Sequence, residues 1–137
     1  MTVIVDVSVA IKWVVDEAGS LAARRLVAEE QLSAPDLMFV ECANVLRTKV
    51  RRGELAPILA REALRVIDAA PIRSIPGRPH VAAAQAIALE LDRSVYDCLY
   101  LAIAIAEYAV MVTADARFAI AVQAHPVYAG HLKTLEG

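Results

Sequence analysis

Cysteine is scarce: Cys42 and Cys98 are the only two among 137 residues. A small secreted scaffold stapled by disulfides needs more, so the pair reads as buried thiols of a reducing cytoplasm. Glycine (5) and aromatic residues (5%) are also few. Those absences exclude a collagen-like repeat and a low-complexity chain, and Trp13 and the four tyrosines form no stacking strip. Long hydrophobic runs are missing too. The longest purely apolar stretch covers 98–106 and stops at Glu107, well short of the roughly 18 residues a membrane span needs. Met1-Thr2-Val3-Ile4-Val5 enters Asp6 without a basic region, so no secretory leader is expected. What is abundant is small and apolar. Hydrophobic residues reach 58%, and 27 of the 137 residues are alanine. These features together read as one cytoplasmic domain over 1–137, with one core and no membrane association.

Short β-branched runs alternate with helical segments. Strands are expected at 3–5, 31–34, 71–76, 110–112 and 126–128, and helices at 20–30, 36–51, 54–69, 79–91 and 97–108. Pro35-Asp36 and Pro79 stand where helices favour a proline and a capping acid, and Gly53 follows the end of its helix. Alternation of this kind predicts an α/β fold: a three-layer α/β/α sandwich around a mainly parallel sheet of about five strands.

Four carboxylates sit where such a fold concentrates its chemistry. Open α/β sheets bind ligands outside the carboxyl ends of their strands. Asp6 follows the first strand there and Asp115 follows the run at 110–113, although capping of the next helix explains either acid taken alone. Glu41 falls among Leu37, Met38, Cys42, Val45 and Leu46, inside the apolar face of its helix. An unpaired charge there costs several kcal/mol, so Glu41 is expected to be ion-paired, metal-bound or at a cleft rim. Arg47 and Lys49 are poorly placed to neutralise it. Asp97 opens a helix that is apolar on nearly every side, as an N-cap with one carboxylate oxygen to spare. Four such acids in one cleft repel one another unless cations neutralise them. Hard oxygen donors of this kind suit Mg²⁺ or Mn²⁺, and the matching chemistry is phosphate-ester hydrolysis.

Other readings lose their key residues. A haloacid-dehalogenase phosphatase needs a second acid two positions after the first, where Ser8 stands; a receiver domain needs paired acids near the first strand and a late lysine, whereas Lys12 falls on a helix and Lys133 almost at the end. There is no phosphate-binding glycine loop, no HExxH or CxxC zinc spacing, and His80, His125 and His131 are scattered.

Four segments, in order, resemble a known family. Asp6-Val7-Ser8-Val9-Ala10-Ile11-Lys12-Trp13 resembles the opening motif of PIN-domain proteins. Ala34-Pro35-Asp36-Leu37 through Glu41-Cys42-Ala43-Asn44-Val45-Leu46 is similar to the second motif. Tyr96-Asp97-Cys98-Leu99-Tyr100-Leu101-Ala102 is similar to the third, and Val112-Thr113-Ala114-Asp115-Ala116-Arg117-Phe118 to the fourth. Within the family the likeness is greatest to VapC toxins of type II toxin–antitoxin pairs. The resemblance implies a PIN-like fold, a Mg²⁺- or Mn²⁺-dependent endoribonuclease acting on RNA, a homodimer, and a small VapB-like antitoxin whose helix enters a groove. It assigns Asp6, Glu41, Asp97 and Asp115 as metal-coordinating catalytic acids. Ser8 and Thr113 match the polar positions that hydrogen-bond those acids or metal waters. Asn44, one helical turn after Glu41, is placed to orient it. A non-cleaving RNA- or protein-binding module, or a nuclease acting on DNA, are the alternatives.

Charge fits this reading better than the formal net of −2 first implies. Setting aside the four acids leaves 12 of the 16 against 14 basic residues. The densest basic run, Arg47, Lys49, Arg51 and Arg52, ends the helix that carries Glu41. It reads either as a patch that follows a phosphate backbone or as cations favoured at a helix C-terminus.

Overall fold

In a computed structural model that describes residues 2–135, the chain forms one five-stranded sheet with helices on both sides. Met1, Glu136 and Gly137, the ends of the expected 1–137 domain, lie outside the described residues. Strands β1 (Thr2–Val5), β2 (Gln31–Pro35), β3 (Ile72–Ile75), β4 (Val110–Thr113) and β5 (Leu132–Thr134) pair in the order β3-β2-β1-β4-β5. Every pairing is parallel, as expected for strands joined through helices. The helices are α1 (Val7–Val14), α2 (Ser20–Glu29), α3 (Leu37–Arg51), α4 (Pro57–Ala69), α5 (Val81–Leu91), α6 (Val95–Ala106) and α7 (Ala116–Gln123). Steps from β1 to β2 to β3 run one way across the sheet, and steps from β4 to β5 run the other. Right-handed crossovers therefore put α1–α4 on one face and α5–α7 on the other. Packing agrees: α1 contacts α2, α3 and α4, whereas α5 packs on α6, and α6 lies against β1, β2 and β4. Among the described residues no helix is long and apolar enough to cross a membrane.

The order reverses between β1 and β4, and this reversal opens the crevice where α/β sheets place their sites. The register sets Val5 beside Val112, so Asp6, just past the end of β1, stands beside Thr113, the last residue of β4. Ile4, Val5 and Met111 are fully enclosed by the two helical layers, which accounts for strands without polar alternation. α6 explains its nearly uniform apolarity in the same way: Cys98 through Ala104 are all buried.

Several elements depart from the sequence expectation. The strand expected at 126–128 is instead a turn, in which Tyr128 and Ala129 both donate backbone N–H to the His125 carbonyl at 3.0 Å. The last strand is Leu132–Thr134, chosen by its register with β4 rather than by its own residues. Asp36 does not cap α3; its carboxylate accepts the Gly77 N–H at 3.2 Å and ties β2 to the loop after β3. Asp97 is not the cap of α6 either, because Ser94 takes that place and its Oγ accepts the Asp97 N–H at 3.1 Å. The fourth helix starts at Pro57 rather than 54, since proline fits the first helical turn. Arg78–His80 forms a 3-10 turn ahead of α5. Both cysteines are buried free thiols, pushed up to about 12 (Cys42) and about 11 (Cys98) chiefly by burial.

Candidate active site

Asp6 closes β1 and caps α1. Its backbone stays extended while Oδ1 accepts the Val9 N–H at 3.3 Å. The capping explanation therefore holds, and so does the placement at the crevice. Two hydroxyls grip the same carboxylate: Ser8 donates to Oδ1 at 2.5 Å and Thr113 donates to Oδ2 at 2.5 Å. Each hydroxyl also accepts a backbone N–H from the β4–α7 corner, Ser8 from Ala114 at 2.9 Å and Thr113 from Asp115 at 3.1 Å. Ser8 and Thr113 thus spend their single protons on Asp6 and their lone pairs on the corner that carries Asp115. The result is a closed polar network between segments more than a hundred residues apart. Asp6 is only 7% exposed. Burial pushes its carboxyl up to about 6; the charge of Asp97 adds to the rise, and the bonds from Ser8, Thr113 and Val9 oppose it.

Asp115 is exposed and caps α7, its Oδ1 accepting the Phe118 N–H at 3.1 Å. Asp97 stands half-buried in the first turn of α6. Burial raises its carboxyl, and the charge of Asp115 raises it further, against the pull of Ser94 and Arg93. Glu41 is half-buried on α3 and is raised first by burial and also by Asp97. Asp97 thereby senses or perturbs each of the other three, and the four acids form one electrostatic unit at the sheet edge. Among the described residues none of the four has a cation within ion-pair distance. Lys49 turns to Glu17 and Glu54, both at 3.8 Å, and leaves Glu41 unneutralised.

Glu41 has a partner that the sequence reading missed. Tyr100, 1% exposed, donates its phenolic O–H to Glu41 Oε1 from the opposite helical layer. The contact, together with burial, drives the Tyr100 phenol far above its ordinary range. A usable signal existed: a tyrosine in a fully buried apolar helix needs an acceptor for its hydroxyl, and Tyr100 stands one turn after Asp97. Asn44, by contrast, is exposed, and its side-chain amide makes no hydrogen bond among the described residues. It lines a cavity of about 340 Å³ alongside Glu41.

The donor set fits a hard divalent cation. Carboxylate oxygens are the ligands Mg²⁺ and Mn²⁺ prefer, and among the described residues no cation is ion-paired with these acids. As the side chains stand, no three His, Cys, Asp or Glu residues among the described residues are grouped to hold an ion. That is compatible with Mg²⁺, which takes one or two carboxylates and keeps several waters.

Known proteins share this architecture. A crystal structure of PAE2754 from Pyrobaculum aerophilum superposes with a TM-score of 0.72 at 20% identity, covering 88% of this chain and 79% of that one. VapC20 of Mycobacterium tuberculosis, described as a sarcin–ricin-loop-cleaving toxin, gives 0.69 at 18%, covering 87% and 94%. VapBC2 from Rickettsia felis, solved on a DNA fragment from its promoter, gives 0.67 at 12%, covering 99% and 100%. These likenesses establish the fold. No curated protein sequence matches the chain. The PIN-domain family model matches residues 3–122, a span that holds all four acids together with Ser8, Asn44 and Thr113. This chain belongs to the PIN-domain family, whose members are generally nucleases.

Proposed function

We propose that the protein is a Mg²⁺- or Mn²⁺-dependent endoribonuclease, the toxin of a type II toxin–antitoxin pair. One observation supports the reading: Asp97 interacts electrostatically with Asp6, Glu41 and Asp115, carried by four separate segments, and among the described residues no salt bridge reaches any of the four. A fold held by hydrophobic packing has no use for such repulsion. One or two of these four side chains would ligate the ion directly, and the others would reach it through its waters. When bound, it supplies positive charge that activates water and stabilises the oxygens of a phosphodiester under attack. Ser8 and Thr113 fix the Asp6 carboxylate through its two oxygens, and Tyr100 fixes Glu41 through Oε1.

Two of the similar structures are of toxin–antitoxin complexes, VapBC2 and one from Klebsiella pneumoniae. By that likeness we assign this chain a cytoplasmic homodimer and a small VapB-like antitoxin whose helix docks beside the crevice. The test is cleavage of total cellular RNA by antitoxin-free protein in Mn²⁺, Mg²⁺ or EDTA, with new 5′ ends sequenced. Discrete ends that require metal and vanish with Asp97→Asn are expected. Metal-independent ends, or ends that persist in Asp97→Asn, would refute the assignment. Cutting confined to DNA, or RNA binding without cutting, would move the reading to the corresponding alternative.

A further inference from the structure

Beside the acids lies a cavity of about 340 Å³, within the roughly 300–1,000 Å³ of small-molecule pockets. Its walls come from the first residue of α1, the first half of α3 and the first turn of α6, helices that each carry or adjoin a site acid. Val7 follows Asp6 on α1, Leu37, Glu41, Asn44 and Val45 lie on α3, and Tyr96 precedes Asp97 on α6. A ligand engaged with Glu41 therefore has an adjoining group at this opening.

The lining chemistry narrows what that group is. No lysine or arginine faces the cavity, and Glu41 repels anions, so a second phosphate has no holder here. Val7, Leu37 and Val45 offer apolar surface. Tyr96 is 63% exposed with no hydrogen bond among the described residues, an aromatic face kept open to solvent. Asn44 is exposed on the same helical face as Glu41, its donor and acceptor both unspent. An apolar slot with one open aromatic face and one free amide suits a flat group with hydrophobic faces and a polar edge. Unstacked bases are held in that manner: stacked on an aromatic ring and hydrogen-bonded along an edge.

We propose that this cavity receives one unstacked nucleobase adjoining the scissile phosphodiester, with Tyr96 as the stacking platform and the Asn44 amide reading the base edge. The proposal rests on the nuclease reading above. A single platform next to the acids replaces the aromatic strip that the sequence lacks.

Uncharged ribonucleosides test the cavity without any demand for metal. Saturation-transfer NMR in EDTA would use adenosine, guanosine, cytidine and uridine with the intact chain. At least one nucleoside is expected to receive saturation, to lose it with Tyr96→Leu and to keep it with Tyr96→Phe; Tyr96 is exposed, so both variants fold. In the cleavage assay Tyr96→Leu is expected to raise KM about tenfold and to flatten base preference at one position beside the cut, while Tyr96→Phe stays within about twofold. Absence of nucleoside binding, or binding untouched by Tyr96→Leu, overturns the proposal. So does a dimer that falls to monomers in Tyr96→Leu with no nucleoside signal, because the face then belongs to a second copy of the chain. Tyr96-dependent nucleoside binding in a protein that cuts nothing in Mn²⁺ would keep the base site and sink the nuclease reading instead.

Discussion

Most paired acids on the outer surface of this protein meet cations, whereas two acids at the carboxyl edge of its sheet, Asp6 and Glu41, meet hydroxyls. On the surface, Glu17 meets Lys12 at 3.1 Å, Asp16 meets Arg24 at 2.6 Å and Glu107 meets Arg73 at 2.9 Å. Glu62 pairs with Arg65 one turn along the same helix. At the sheet edge the carboxylates receive hydroxyls instead: Ser8 and Thr113 on Asp6, Tyr100 on Glu41. A cation cancels a charge, whereas a hydroxyl fixes its position and leaves it negative. The difference separates acids whose charge is cancelled locally from acids that, among the described residues, have no ion-pair partner.

The comparison breaks most visibly in activity. Asp97→Asn or Asp6→Asn is expected to cut metal-dependent RNA cleavage by about a hundred- to a thousandfold, since each removes a charge from the cation's holder; mapped 5′ ends report it. Stability shows the same contrast through pH. Asp6 holds its proton near 3.8 when unfolded and up to about 6 when folded. Between those values the folded state binds more protons, so the contribution is fully present below about pH 4, declines as pH rises and is gone above about pH 6. At about 1.4 kcal/mol per tenfold change in proton affinity, the difference is roughly 3 kcal/mol. Urea melts in EDTA at pH 4 and pH 7 should show this slope in the wild type and lose that share of it in Asp6→Asn; equal slopes would contradict the burial argument.

Restoring a counter-charge should reverse the penalty. Mn²⁺ at a hundred times its Kd is expected to add about 2.7 kcal/mol at neutral pH, and Asp97→Asn should forfeit most of that gain in thermal melts. A smaller loss, about 1 kcal/mol, is expected for Tyr100→Phe, because half-buried Glu41 can replace the lost donor with water. The smallest effect belongs to the outer surface. Glu62→Gln, which breaks the pair with Arg65, should change stability by no more than about 0.5 kcal/mol. A surface substitution as costly as Tyr100→Phe would erase the distinction between the two classes of acid.

Much of this was legible along the chain, for local reasons. Val3-Ile4-Val5 and Val110-Met111-Val112 announce buried strands because β-branched runs of that length suit a sheet covered on both faces, and an acid follows each. Glu41 stands out because charge interrupts an apolar helical face. Elements at the edge of the fold were harder to place. Leu132–Thr134 pairs in the sheet only because β4 offers a free edge, and 126–128 turns because Tyr128 and Ala129 donate to the His125 carbonyl. Ser94 displaced Asp97 as the cap of α6 three residues earlier than expected, a choice between neighbouring side chains that either could have filled.

Sequence alone determined the strand-and-helix alternation and marked Asp6, Glu41, Asp97 and Asp115 as acids in unusual places, since both follow from patterns a few residues long. It could not decide how those acids are held. The Thr113 hydroxyl on Asp6 spans 107 residues and the Tyr100 hydroxyl on Glu41 spans 59, and neither pairing leaves a trace in local periodicity. Only the tertiary structure brought them together: reversal of strand order between β1 and β4 set the two strand ends side by side, and the Tyr100 side chain on α6 reached Glu41 on α3 from the opposite helical layer.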